Sequence, residues 1–173
     1  MIELKRIYPE CYADTLLVEL LLERGKPGHC KGISKVAKAL ERIKDNALLF
    51  GIVDSDRFKN HPPYFKNFTI TKEDKQADEG LILKQIPDSK KYLIFVCPEF
   101  EPWIWKRAKE SGINPSDYTF DSLDNLYQAS KRMSVSEDVN LKGFVNSVVR
   151  SDNAAIATLR NWLKVVLPDH VKN

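Results

Sequence analysis

The sequence predicts an α/β fold in three layers, a mainly parallel central sheet flanked by helices, with a helical C-terminal extension packed on it. Three observations lead there. Ala47-Leu-Leu-Phe-Gly-Ile-Val53 is a continuous apolar run of strand length, the pattern of a strand buried on both faces and hence of a helix-covered parallel sheet. Two helical patterns precede it, and a second apolar run, Lys91-Tyr-Leu-Ile-Phe-Val-Cys97, follows. Beyond Pro98 every segment reads as helix.

Residues 2–9 alternate loosely and end in Tyr8-Pro9, where proline removes a donor and closes a short strand, leaving Glu10 at its C-terminal end. Tyr12 to Arg24 is rich in Leu and Glu and nearly apolar all round at its middle, which predicts a largely buried helix. After a turn-rich stretch from Gly25 to Gly32, apolar Ile33, Val36, Ala37, Leu40 and Ile43 recur at helical spacing, with Lys35, Lys38, Glu41 and Arg42 turned outward. The strong strand stops at Asp54-Ser-Asp56-Arg57. Residues 57–78 are polar, contain Pro62-Pro63 and hold no period, so they read as an excursion from the sheet. Gly80 to Ile86 and Lys91 to Cys97 flank a tight turn at Asp88-Ser89 and can pair as a hairpin. Four helices follow, over 102–110, 122–131, 137–149 and 153–166; Ser134-Val-Ser-Glu137 has capping-box spacing, and Asp152 can cap the last of them.

Composition excludes several classes. The chain has 173 residues, 43% hydrophobic and 29% charged, enough for one domain with a real core and unlike a disordered chain. Lys and Arg number 27 against 24 Asp and Glu, a net charge of +3, so any contact with a polyanion must be local. The three cysteines, Cys11, Cys30 and Cys97, form no CxxC pair, which argues against a disulfide framework or zinc knuckle and fits a reduced, cytoplasmic setting. Glu19 and Glu23 interrupt the longest apolar stretch, and no membrane span is expected.

Ligands of a parallel sheet usually bind where the C-terminal ends of its strands gather. Glu10 and Asp54 stand at such ends, and Asp56, two residues on, points an extended backbone's side chain the same way as Asp54. Carboxylates crowded together repel unless they share a proton or a cation, and an all-oxygen donor set suits Mg²⁺ or Mn²⁺.

The order Glu10-Cys-Tyr-Ala-Asp14, a glycine-containing turn Gly28-His-Cys-Lys-Gly32 before a helix, then Phe50-Gly-Ile-Val-Asp54-Ser-Asp56 resembles the TOPRIM domain, in the version found in overcoming-lysogenization-defect nucleases. The resemblance spans roughly residues 3–105, and divides the chain into a TOPRIM-like core, 1–105, and a helical extension, 106–173, packed into one structural domain. It implies metal-assisted phosphodiester cleavage or phosphoryl transfer on nucleic acid. Asp54 and Asp56 would hold Mg²⁺ or Mn²⁺, and Glu10 would bind metal or relay a proton, these three being the catalytic set. Asp14 and Glu101, the latter in Glu99-Phe-Glu101, would complete a second metal site; Lys31, Lys35 and Arg57 would be the phosphate contacts. The alternative is a non-catalytic module of the same fold that binds a nucleotide, nucleic acid or partner protein in a defence or mobile-element system. A receiver-like signalling domain is a third, disfavoured by Pro98-Glu99 where that fold needs a lysine.

Overall fold

The computed structural model describes residues 6–23, 27–44, 47–55, 60–73, 80–132 and 137–165. Among these residues five strands, β1 (Ile7–Pro9), β2 (Leu49–Asp54), β3 (Ile70–Glu73), β4 (Leu81–Gln85) and β5 (Lys91–Val96), form one sheet in the order β1-β2-β5-β4-β3. β1, β2 and β5 are parallel. β4 runs antiparallel to β5, as the hairpin pattern predicted, and β3 antiparallel to β4. The sheet is therefore mixed rather than mainly parallel. The expectation for residues 57–78 is corrected as well: a 3₁₀ turn at Pro63–Asn67 and β3 lie within that stretch. β3 carries no strand pattern in sequence because Ile70-Thr-Lys-Glu73 has one large apolar residue, and Ile70, Thr71 and Lys72 are all exposed.

Among the described residues six helices flank the sheet: α1 (Tyr12–Leu22), α2 (Ile33–Arg42), α3 (Phe100–Glu110), α4 (Leu123–Ser130), α5 (Val139–Arg150) and α6 (Ala154–Val165). Side chains alternate across β2 with period two. Phe50 and Ile52 enter a core shared with α1 and α3 to α6, while Leu49 and Val53 enter a second core with α2 and the 3₁₀ turn. Three layers result. The first core is continuous from Ile7 and Ile52 through Leu17 to Phe144 and Val148, so the C-terminal helices pack directly against the N-terminal ones and the sheet. Gly51 sets the spacing of the other side: a methyl group there would lie 2.8 Å from Val36 Cγ1 and 2.9 Å from Leu93 Cδ1, so glycine lets α2 settle on β2.

The stretch from Gly28 to Gly32 runs along the outer side of β1. The N–H groups of Gly28 and Cys30 donate to the carbonyls of Ile7 and Pro9 at 2.9 and 3.0 Å. In a parallel ladder the return bond would come from the N–H of residue 9, which proline lacks, so the pairing runs one way.

Helix starts follow side-chain chemistry with two differences from expectation. Asn153, not Asp152, caps α6, its Oδ1 accepting the N–H groups of Ala155 and Ile156 at 3.0 and 3.4 Å. Asp138 caps α5 by accepting the Leu141 N–H at 3.0 Å; the expected capping box from Ser134 falls partly outside the described residues.

Candidate acidic site at the sheet edge

The C-terminal ends of β1, β2 and β5 lie side by side, and an acid follows or closes each. Glu10 leaves β1 with its N–H bonded to the Ile52 carbonyl at 2.9 Å. Its carboxylate Oε2 accepts the N–H of Asp54 at 3.2 Å, joining residues 44 positions apart. Asp54 is the last residue of β2, and its Oδ1 accepts the N–H of Phe100, at the start of α3, at 2.9 Å. One carboxylate thus ties β1 to β2 and the other ties β2 to the helix after β5. Both residues are buried, at 7% and 9% exposure.

Asp14, in the first turn of α1, is fully buried. It forms a reciprocal cap with Cys11, whose backbone N–H and thiol both donate to Asp14 Oδ2, at 3.3 and 3.1 Å. Its other oxygen, Oδ1, is buried without a hydrogen-bond partner among the described residues. Burial pushes the Asp14 carboxyl up to about 7; the bonds from Cys11 oppose the shift, while the charges of Glu10 and Glu101 reinforce it. Burial, followed by the Asp14 charge, also raises the Cys11 thiol, which keeps its proton and acts as a donor.

The acids after β5 divide. Glu101 is buried, accepts the hydroxyl of Ser130 on α4, and is raised chiefly by burial. Glu99 is half-buried, and its Oε1 accepts the Tyr127 hydroxyl at 2.8 Å. Burial and then the bond to Glu99 raise the Tyr127 phenol, with the charges of Glu99, Glu101 and Asp54 adding to the effect. Tyr127 is therefore a neutral donor facing an acidic neighbourhood.

Lys31 and Lys35 are exposed at the start of α2. That start lies beside the first acid, because the Gly32 N–H donates to the Glu10 carbonyl at 3.0 Å. Gly32 opens the helix with φ +97°, a conformation that favours glycine. His29, given no role from sequence, bonds Thr15 Oγ1 through Nδ1 at 3.0 Å and stacks on Tyr12 at 4.1 Å. Asp56 and Arg57 lie outside the described residues.

The structure thus brings Glu10 and Asp54 into direct contact and sets Asp14 and Glu101 in the electrostatic field of the same edge. Among the described residues, no three His, Cys, Asp or Glu side chains are grouped closely enough to enclose a metal ion. Mg²⁺ does not need such a cage, since it keeps several waters and is commonly held by one or two carboxylates with substrate phosphate. An all-oxygen pair at Glu10 and Asp54, with a buried carboxylate oxygen nearby that lacks a partner, suits that mode. Sequence reasoning missed Tyr127 and Ser130. They lie three apart on α4, an ordinary helical spacing, and only the packing of α4 on α3 brings them to Glu99 and Glu101.

No helix among the described residues is long and apolar enough to cross a membrane. Compared with protein-family models, curated proteins and solved structures, the chain matches none.

Proposed function

We propose that this protein is a TOPRIM-like, Mg²⁺- or Mn²⁺-dependent protein that acts on nucleic-acid phosphodiesters, with nuclease cleavage as its reaction. The observation that carries this reading is the bond from the Asp54 N–H to the Glu10 carboxylate, which joins two remote acids at the C-terminal edge of parallel strands. Glu10 and Asp54, with Asp56 of the same motif, hold the cation; Asp14 and Glu101 form the inner part of the acidic group. A bound divalent cation supplies charge for the phosphoryl oxygens and a more acidic water. Glu10 and Asp54 arrive pre-oriented, because each carboxylate is fixed by a backbone N–H. Lys31 and Lys35, exposed at the start of α2 beside the Glu10 backbone, would meet substrate phosphate, with Arg57 joining them by its position in the sequence after the Asp54-Ser-Asp56 motif.

The test is cleavage of end-labelled single- and double-stranded DNA and RNA in Mg²⁺ or Mn²⁺. The expected result is cleavage that chelation abolishes and that Asp54→Asn or Glu10→Gln lowers at least about 100-fold. Cleavage unaffected by either substitution would overturn it.

One observation favours a second reading. Each of the five acids Glu10, Asp14, Asp54, Glu99 and Glu101 at this edge already accepts a hydrogen bond from its own chain, so the same network serves as a strand-to-helix tie. A TOPRIM-like module that binds a nucleotide, nucleic acid or protein without turnover fits that network. Retention of nucleic acid with Mg²⁺ bound and no cleavage under any condition would select it.

A further inference from the structure

His29 has one neutral form open to it. The single hydroxyl hydrogen of Thr15 is committed to the Cys11 carbonyl, which its Oγ1 approaches at 2.7 Å. Toward His29 Nδ1, 3.0 Å away, the same oxygen can therefore only accept, so the ring carries its hydrogen on Nδ1. Nε2 is left as the bare nitrogen, buried without a hydrogen-bond partner among the described residues. The ring lies against Tyr12, with centroids 4.1 Å apart and planes 20° from parallel.

A second proton is poorly accommodated in this setting. It would make Nε2 a charged donor inside the protein with nothing to receive it, the costly side of the hydrogen-bond balance. Burial accordingly lowers the His29 pKa from the ordinary 6.5; the bond to the Cys11 backbone opposes the shift, and the charge of Lys31 adds to it. The ionisable groups on the packed elements offer no counter-charge. α1 brings the Tyr12 phenol and the Cys11 thiol, which keeps its proton and donates to Asp14, while Glu19, one turn past Thr15, leaves Nε2 unmet. β1 brings the Tyr8 ring, beside Gly28.

The residue so constrained joins α1 to a segment with few other ties. The N–H groups of Gly28, Cys30 and Gly32 donate to the carbonyls of Ile7, Pro9 and Glu10, and Pro9 can return none. We propose that His29 is an acid-released latch: the neutral ring pins the Gly28 to Gly32 segment to α1, and protonation frees it from Thr15 and Tyr12 and loosens the segment that carries Lys31 into α2. The latch does not depend on the reading of the acidic edge. Because the latched ring resists a proton that a released ring takes up near 6.5, its hold is present above that pH and lost as the pH falls. Linkage sets the size, up to about tenfold in the latch equilibrium per pH unit below 6.5 until the latched ring itself takes the proton. Asp14 works in the opposite sense, adding stability as the pH falls from about 7, so a loss confined to this segment is distinct from general acid unfolding.

NMR on the full chain from about pH 8 to about pH 5, the range in which histidine titrates, tests the latch. Ring nitrogen shifts report the His29 tautomer and its protonation, and amide hydrogen exchange at Gly28, Cys30 and Gly32 reports the hold of the segment, with amides of β2 and β5 as the reference. The expected result is an Nδ1–H ring at neutral pH, with protection at those three amides falling by up to about tenfold per pH unit as the ring takes its proton while the reference amides keep theirs. His29→Phe, which keeps a ring against Tyr12 and takes no proton, is expected to remove this pH dependence. Thr15→Val, which deletes the acceptor and keeps the ionisable ring, is expected to lower protection at the same amides already at neutral pH. An Nε2–H ring, protection that stays level across the range, the same fall in His29→Phe, or unchanged protection in Thr15→Val would each overturn the proposal.

Discussion

Strand β2 is buried along all six residues between two helical layers, whereas β3, at the far side of the same sheet, leaves Ile70, Thr71 and Lys72 exposed. The contrast shows what each half of the sheet can carry. Between two apolar layers, a polar group at a strand end must find its partner inside the protein, and Asp54 does so at Phe100. At an exposed edge, water satisfies the same groups and no network forms. Carboxylates are therefore organised at the covered half, where holding them raises their energy and ties their geometry.

Changes in β2 and its surroundings should cost far more than changes in β3. Gly51→Ala places a methyl group against Val36 and Leu93 and is expected to destabilise by about 3 kcal/mol, the upper end for overpacking, read from urea unfolding. A pH series sharpens the comparison at Asp14. Its folded carboxyl is raised from the ordinary 3.8 to about 7, so between those values the folded state holds a proton that the unfolded state has lost. Stability from this group therefore falls as pH rises from about 4 to about 7 and is level above that. Relative to the parent, Asp14→Asn should flatten that slope by about 4 kcal/mol across the interval, read from unfolding midpoints at each pH.

Asp54→Ala removes the acceptor for the Phe100 N–H and should destabilise by about 1–2 kcal/mol, while Asp54→Asn, which keeps an acceptor oxygen, should lose less. Thr71→Ala in β3 should shift stability by no more than about 0.5 kcal/mol. If Thr71→Ala matched Gly51→Ala, the distinction between the covered and the open half would fail.

The same difference explains what could be read from the residues alone. Ala47 to Val53 announces β2 because burial on both faces demands a continuous apolar run, and α2 is plain because only one of its faces is buried. Ile70 to Glu73 carries no comparable signal: an exposed edge strand makes few demands on its side chains. The residues alone therefore point to a more parallel sheet than the one observed, since β3 extends its antiparallel half. At the site, Glu10 and Asp54 were legible as acids at strand ends. Tyr127 and Ser130 were not, because their link to Glu99 and Glu101 exists only after α4 packs on α3. The capping of α6 turned on neighbouring residues that both have capping chemistry, Asp152 and Asn153, and local sequence does not choose between them.

The most direct measurement is calorimetric titration of Mg²⁺ into the full chain beside Glu10→Gln and Asp54→Asn. Heat of binding in the parent chain that either substitution removes, although the two residues stand 44 positions apart, is the predicted result. Equal binding, or equally negligible binding, in all three proteins would contradict the account.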